Sequence, residues 1–180
     1  MGESVEKEII SNIRVIPDFP QEGVSFKDIT PLLRDPKLFQ KCINALKDVC
    51  HDIDFDVIVA PEARGFIVGS ALAYAMGKGF APVRKKGKLP SDTLKGEYQL
   101  EYGTDTLEIH RDAVDPGQRV LILDDLLATG GTIAATIDMV EKLGGKIAAL
   151  VFLIELTYIP GRANLSKMGY KVASVVKLDS

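Results

Sequence analysis

Two adjacent aspartates, Asp124 and Asp125, close the apolar run "RVLIL", and a glycine- and threonine-rich stretch, "LLATGGT", follows at once. Paired carboxylates suit a cation or the donors of vicinal hydroxyl groups. The stretch behind them, with Ala128, Thr129, Gly130, Gly131 and Thr132, suits the opposite charge. Glycines let the backbone close on a ligand, and free N–H groups at a helix start can hold a phosphate. The hydroxyls of Thr129 and Thr132 add donors. Carboxylates beside a phosphate would repel it unless they face another part of the same molecule. A sugar with a cis-diol at one end and a phosphate at the other, such as ribose 5-phosphate, meets both demands. The stretch is neither a G-x-x-x-x-G-K-[ST] loop nor a G-x-G-x-x-G dinucleotide turn, and on their own its glycines also fit a plain strand-to-helix turn.

Two further stretches offer positive charge. "PEARG" supplies Glu62, Ala63, Arg64 and Gly65 after an apolar run. Arginine suits anions because its planar fork donates several hydrogen bonds and stays charged. "RKKGK" places Arg84, Lys85, Lys86 and Lys88 within five residues. Each segment alone also reads as a solvated turn. His51 and His110 lack a serine–carboxylate arrangement and are expected to pack or face solvent. Cys42 and Cys50 fall in one expected helix as free thiols, as in a reducing cytosol, and no Cys/His metal cluster is visible.

The elements that must position these residues follow from periodicity. A chain of 180 residues, 46% apolar and 26% charged, fits one domain with a real core. Its net charge of −3 gives no global reason to expect nucleic acid or an anionic membrane as partner, so any anion site is local. The charged start "MGESVEKEIISNIR" lacks the apolar stretch of a secretory signal and matches a myristoylation signal only faintly. No apolar run reaches the roughly 18 residues needed to span a bilayer.

Leu38, Phe39, Cys42, Ile43, Leu46 and Val49 recur at helical spacing. "FDVIVA", "FAPV", "RVLILD", "KIAALVFLIEL" and "YKVASVVKL" read as five strands, with "FIVGSALAYAMG" and "TIAATIDMVEKLGG" as helices. Such alternation predicts an α/β fold: one open, doubly wound, mostly parallel sheet with flanking helices. Ligands gather beyond the carboxyl ends of such strands, where "PEARG" and "DDLLATGGT" fall. Between Arg84 and Arg111 the rhythm breaks. "KKGKLPSDTLKG" reads as a loop, and "EYQLEYG" and "DTLEIH" as an antiparallel pair around a Gly-Thr turn. This insertion, about 85–111, is expected to be a flap over the site.

"VLILDDLLATGGT" resembles the phosphoribosyl pyrophosphate motif of type I phosphoribosyltransferases. "DFPQEGVSFKDITPLL", "RKKGKLP", "LEYGTDTLEIH" and "LIELTYIPGR" extend the resemblance from about Ile13 to about Val176, toward those members whose acceptor is adenine. The resemblance implies a single domain, 1–180, with residues 1–35 as a base-recognition segment, and the conversion of adenine and phosphoribosyl pyrophosphate to AMP and pyrophosphate with Mg²⁺. It also implies a cytosolic homodimer in purine salvage that binds neither nucleic acid nor membrane.

By the same resemblance, Asp124 and Asp125 take the ribose and 128–132 the 5′-phosphate. Glu62–Gly65, Arg84, Lys85 and Lys88 take pyrophosphate, with Arg64 also catalytic. Adenine meets Ser25, Phe26, Lys27 and Leu156, Glu101 acts on the purine, and Tyr102 belongs to the flap. No residue ligates the metal directly; Mg²⁺ is held mainly by substrate, with Asp124 or Asp125 reached through water. Ser25 departs from the family pattern, which places an aliphatic residue there. A different base, or a nucleotide-sensing regulator on the same fold, is the alternative outcome.

Overall fold

The computed structural model describes residues 3–100 and 103–180. Their elements, in chain order, are α1 (Glu3–Ser11), β1 (Arg14–Ile16), β2 (Phe26–Asp28), α2 (Thr30–Arg34), α3 (Pro36–Cys50), β3 (Val57–Pro61), α4 (Arg64–Met76), β4 (Gly79–Lys85), β5 (Thr93–Leu100), β6 (Gly103–His110), β7 (Arg119–Leu127), α5 (Gly131–Lys142), β8 (Lys146–Leu156), α6 (Gly161–Lys167) and β9 (Val172–Leu178). Among these residues one seven-stranded sheet runs in the order β5-β6-β4-β3-β7-β8-β9. Its β4, β3, β7, β8 and β9 are parallel, and β6 and β5 continue it antiparallel at one edge. A separate antiparallel ribbon joins β1 to β2.

Burial explains why the apolar runs became strands. Every residue of β3 and the last eight of β8 are buried, as expected where helices cover both faces. Side chains alternate along β7: Leu121 and Leu123 join the core under α3 and α4, while Val120 and Ile122 join the core under α5. The stripe of α3 buries Leu38, Cys42, Ile43, Leu46 and Cys50. Asp35 caps that helix by accepting the Lys37 and Leu38 N–H groups, both at 2.9 Å. Burial pushes the Cys42 and Cys50 thiols up to about 11 and about 12, which leaves them inert at neutral pH.

Two local readings need correction. "TLKG" is the start of β5 and not loop, and Gly103 and Thr104 begin β6, paired with Leu100 and Gln99, instead of forming the turn. Register is the reason. Pairing Leu94 with Ile109 and Gly96 with Leu107 buries Leu107 and Ile109, whereas a one-residue slip would expose them. Gly96 permits this packing: a Cβ there would lie 2.9 Å from Met139 Cγ of α5 and 3.1 Å from the Ala135 carbonyl oxygen.

After β3 the chain passes through α4 to β4 on one side, and it returns to β7 on the other side of β3. The strand order therefore reverses between β3 and β7, and a crevice opens beyond their carboxyl ends. Residues 62–65 leave β3 there, and residues 128–131 leave β7.

Candidate active site

The aspartate pair lies inside β7, which continues to Leu127, so both carboxylates sit on rigid sheet and not on the loop. Asp125 is 3% exposed, with Arg64 Nε 2.8 Å from its Oδ2 as an ion pair not aligned for a hydrogen bond. Asp124 lines the neighbouring cradle, and its Oδ1 accepts the Asp125 N–H at 2.9 Å. The absent side chain of Gly65 makes room for it, since a Cβ there would stand 2.8 Å from Asp124 Oδ1. Burial, then the charge of Asp125, lifts the Asp124 carboxyl well above the ordinary carboxylate value. Burial likewise lifts Asp125, against the pull of Arg64.

The cradle is a hollow of about 100 Å³ formed by Asp124 and residues 126–133, including Ala128, Thr129, Gly130, Gly131 and Thr132. Gly130 has φ +84°, a conformation other residues rarely adopt. It occupies the N-cap of α5 and offers no side chain to the first turn, which leaves N–H donors free for an anion.

A second cavity, about 360 Å³, adjoins the cradle across Leu126 and Ala128, which line both. Ser25, Phe26 and Lys27 of the N-terminal segment line it together with Leu156. Phe26 is fixed edge-on by Phe19, with ring centroids 5.2 Å apart, and the Arg64 guanidinium lies 5.0 Å from its ring centroid. Arg64 also donates to the Lys27 carbonyl at 3.4 Å. This one arginine thus spans the second cavity and the carboxylate pair. The departure at position 25 has a local partner: Lys27, itself buried, donates from Nζ to Ser25 Oγ at 3.1 Å.

The two basic segments meet through Glu62. Its carboxylate accepts Arg84 Nε at 2.8 Å and the Lys85 N–H at 2.9 Å. Burial pushes this carboxyl up, but the Lys85 N–H and Arg84 outweigh it and hold the group below its ordinary value. Glu62 therefore fixes the Arg84 side chain and the Lys85 backbone beside the end of β3. Ala63 is the N-cap of α4, and the Glu62–Ala63 peptide is cis. Beyond β4, Gly87 turns the chain at φ +78°, held by Glu108 Oε2 at 2.9 Å, and Lys85, Lys86 and Lys88 remain exposed. Glu101 and Tyr102 lie outside the described residues; β5 and β6 lead to them from either side.

Residues 28–177 match the phosphoribosyl transferase domain family. An adenine phosphoribosyltransferase of Alkaliphilus metalliredigens is 56% identical over 167 residues, covering 93% of this chain and 97% of the relative. The crystal structure of adenine phosphoribosyltransferase from Thermoanaerobacter pseudethanolicus superposes with a TM-score of 0.93 at 56% identity, over 96% of this chain and 99% of that one. The chain belongs to the adenine phosphoribosyltransferases. The enzyme of this family from Saccharomyces cerevisiae, solved with an imino-altritol bisphosphate and adenine, matches with a TM-score of 0.88 at 41% identity, over 96% and 98% of the two chains.

For this adenine phosphoribosyltransferase family member, sequence reasoning missed part of the second cavity's lining. Gly23, Val24, Tyr158 and Ile159 also line it. Tyr158 and Ile159 follow Leu156 within "LIELTYIPGR", so contiguity with a chosen residue was the available signal.

Proposed function

We propose that the protein joins adenine N9 to C1′ of the ribose as the bond from C1′ to pyrophosphate breaks, giving AMP and pyrophosphate in purine salvage. One observation carries this reading: an aromatic-walled cavity and a donor-rich cradle share Leu126 and Ala128, with the carboxylate pair beside their junction. The yeast relative's complex with adenine supports the choice of base.

Adenine stacks between Phe26 and Leu156, with backbone groups of Ser25 and Lys27 at its edge. Asp124 and Asp125 accept the ribose hydroxyls, and residues 128–132 take the 5′-phosphate. Arg64, Arg84, Lys85 and Lys88 receive the charge that develops on pyrophosphate, and Glu62, Ala63 and Gly65 shape that loop. Glu101 takes up the proton leaving the purine, and Tyr102 belongs to the flap that excludes water.

Among the described residues no set of three carboxylate, histidine or cysteine side chains gathers to cage a metal. The carboxylate pair instead fits a Mg²⁺ carried by substrate phosphates and reached through water. When bound, that ion neutralises charge on the leaving group. A homodimer is part of the reading. Ile67 and Tyr74, two turns apart on α4 and 41% and 92% exposed, give a second copy an apolar face. The cytosol suits the two free buried cysteines, and among the described residues no helix is long and apolar enough to cross a membrane.

The test is incubation with phosphoribosyl pyrophosphate, Mg²⁺ and adenine, hypoxanthine, xanthine or orotate in turn. AMP from adenine, with little product from the others, is expected. Preferential use of another base would overturn the assignment. Gly65→Ala is expected to raise KM for phosphoribosyl pyrophosphate by about tenfold, because its methyl must displace the Asp124 carboxylate. Steady-state kinetics with each substrate varied would reveal the change.

A further inference from the structure

The segment from Thr157 to Leu165 enters no step above, yet it touches both halves of the site. Its first part walls the base cavity with Tyr158 and Ile159. Its second part lies against three consecutive residues of the phosphate loop. A Cβ on Gly161 would stand 1.9 Å from the Ala128 carbonyl oxygen, so backbone rests on backbone there. Asn164 Nδ2 donates to the Thr129 carbonyl at 3.2 Å. Leu165 Cγ lies 3.2 Å from where Gly130 would carry a Cβ.

The segment is itself anchored to the sheet. Glu155, 2% exposed, pairs with both Arg162 Nε and Nη2 and accepts from Ser174 Oγ, while Arg162 Nη1 donates to the Val172 carbonyl at 2.9 Å. The hydrogen bonds from Arg162 hold the Glu155 carboxyl below its ordinary value.

We propose that Gly161 and Asn164 are positioning residues that aim the N–H groups of the phosphate loop into the cradle. A trans peptide is a rigid plane whose C=O and N–H point in opposite directions. Holding the Ala128 and Thr129 carbonyls against residues 161–164 therefore turns the Thr129 and Gly130 N–H groups the other way, toward the anion. The same nine residues tie that aim to the wall against which the base rests.

This inference rests on the proposed assignment of the cradle to the 5′-phosphate. Its test compares Asn164→Ala, Asn164→Asp and Gly161→Ala with the wild-type enzyme. Asn164→Asp keeps the size of the side chain, loses the donor and adds a negative charge near the cradle, so its effect should be at least that of Asn164→Ala. Both Asn164 variants are expected to raise KM for phosphoribosyl pyrophosphate about 3- to 10-fold, the equivalent of one neutral hydrogen bond, and to weaken ribose 5-phosphate binding in calorimetry by the same factor. Their kcat and adenine KM should stay within about twofold of wild type on the same bookkeeping. A larger rise is expected for Gly161→Ala; if that variant does not fold, the Asn164 pair decides. An active wild type with both Asn164 variants unchanged overturns the inference, as does a wild-type-like Asn164→Asp beside an impaired Asn164→Ala, which would leave only packing. Wild-type protein that makes no AMP would sink the reading of the reaction itself.

Discussion

Asp124→Asn combined with Asp125→Asn is expected to lower kcat/KM for phosphoribosyl pyrophosphate by about 10²- to 10⁴-fold, the worth of two hydrogen bonds to charged acceptors. Neutral amides still accept from the ribose hydroxyls, but they remove the negative potential that favours positive charge at C1′. The side chains stay the same size and the strand β7 carries them, so the loss is electrostatic and not a collapse of the site. Steady-state kinetics measure it, and full activity in the double variant would refute the ribose assignment.

The same charges burden the empty protein. Asp124 releases its proton near 3.8 when unfolded, whereas burial and Asp125 lift that value well above 3.8 in the fold. A raised acid contributes its full stability below the unfolded value and loses it as pH climbs toward and through the folded one. Asp124→Asn has no proton to lose. Without ligand it should melt above wild type at about pH 7, and the gap should close as pH falls toward about 4. Thermal melts across that range would show this separation of stability from activity.

Glu101→Gln is expected to cut kcat by about 10²- to 10⁴-fold while KM for phosphoribosyl pyrophosphate changes little, the pattern for loss of an acid–base group that does not grip the sugar. Forming the N9–C1′ bond puts positive charge on the purine, and the N9 proton must depart. A carboxylate can accept that proton or steady that charge, whereas the amide can do neither. The acidic limb of the kcat profile should flatten as well. Glu101 lies outside the described residues; β5, the strand before it, packs where Gly96 meets Met139 and Ala135 of α5. The first turn of that helix borders the cradle, so β5 and the cradle share one support. Turnover unchanged in the variant would remove Glu101 from the mechanism.

The parts legible in the sequence are those that one continuous segment carries. Asp124, Asp125 and residues 128–132 belong to a single strand–loop–helix unit, so spacing alone brought the carboxylates next to the N–H groups of a helix start. Alternating apolar runs were enough to call the doubly wound sheet, because strands buried on both faces leave continuous hydrophobic signatures. Strand register between β5 and β6 was not legible, since it depends on which face of β5 meets α5.

Other features depend on segments far apart in sequence. The Arg64 contacts with Phe26, Lys27 and Asp125, the hold of Glu62 on Arg84, and the support of Ala128 by Gly161 each join separate parts of the chain. So does the upward shift of Asp124, which arises when the fold withdraws much of the carboxylate pair from water. Residue types and local spacing therefore put carboxylates next to a loop suited to an anion, and resemblance to a family supplied the reaction. Packing decided how its charges are aimed and what it costs to bury them, because distance and dielectric exist only once the elements have come together.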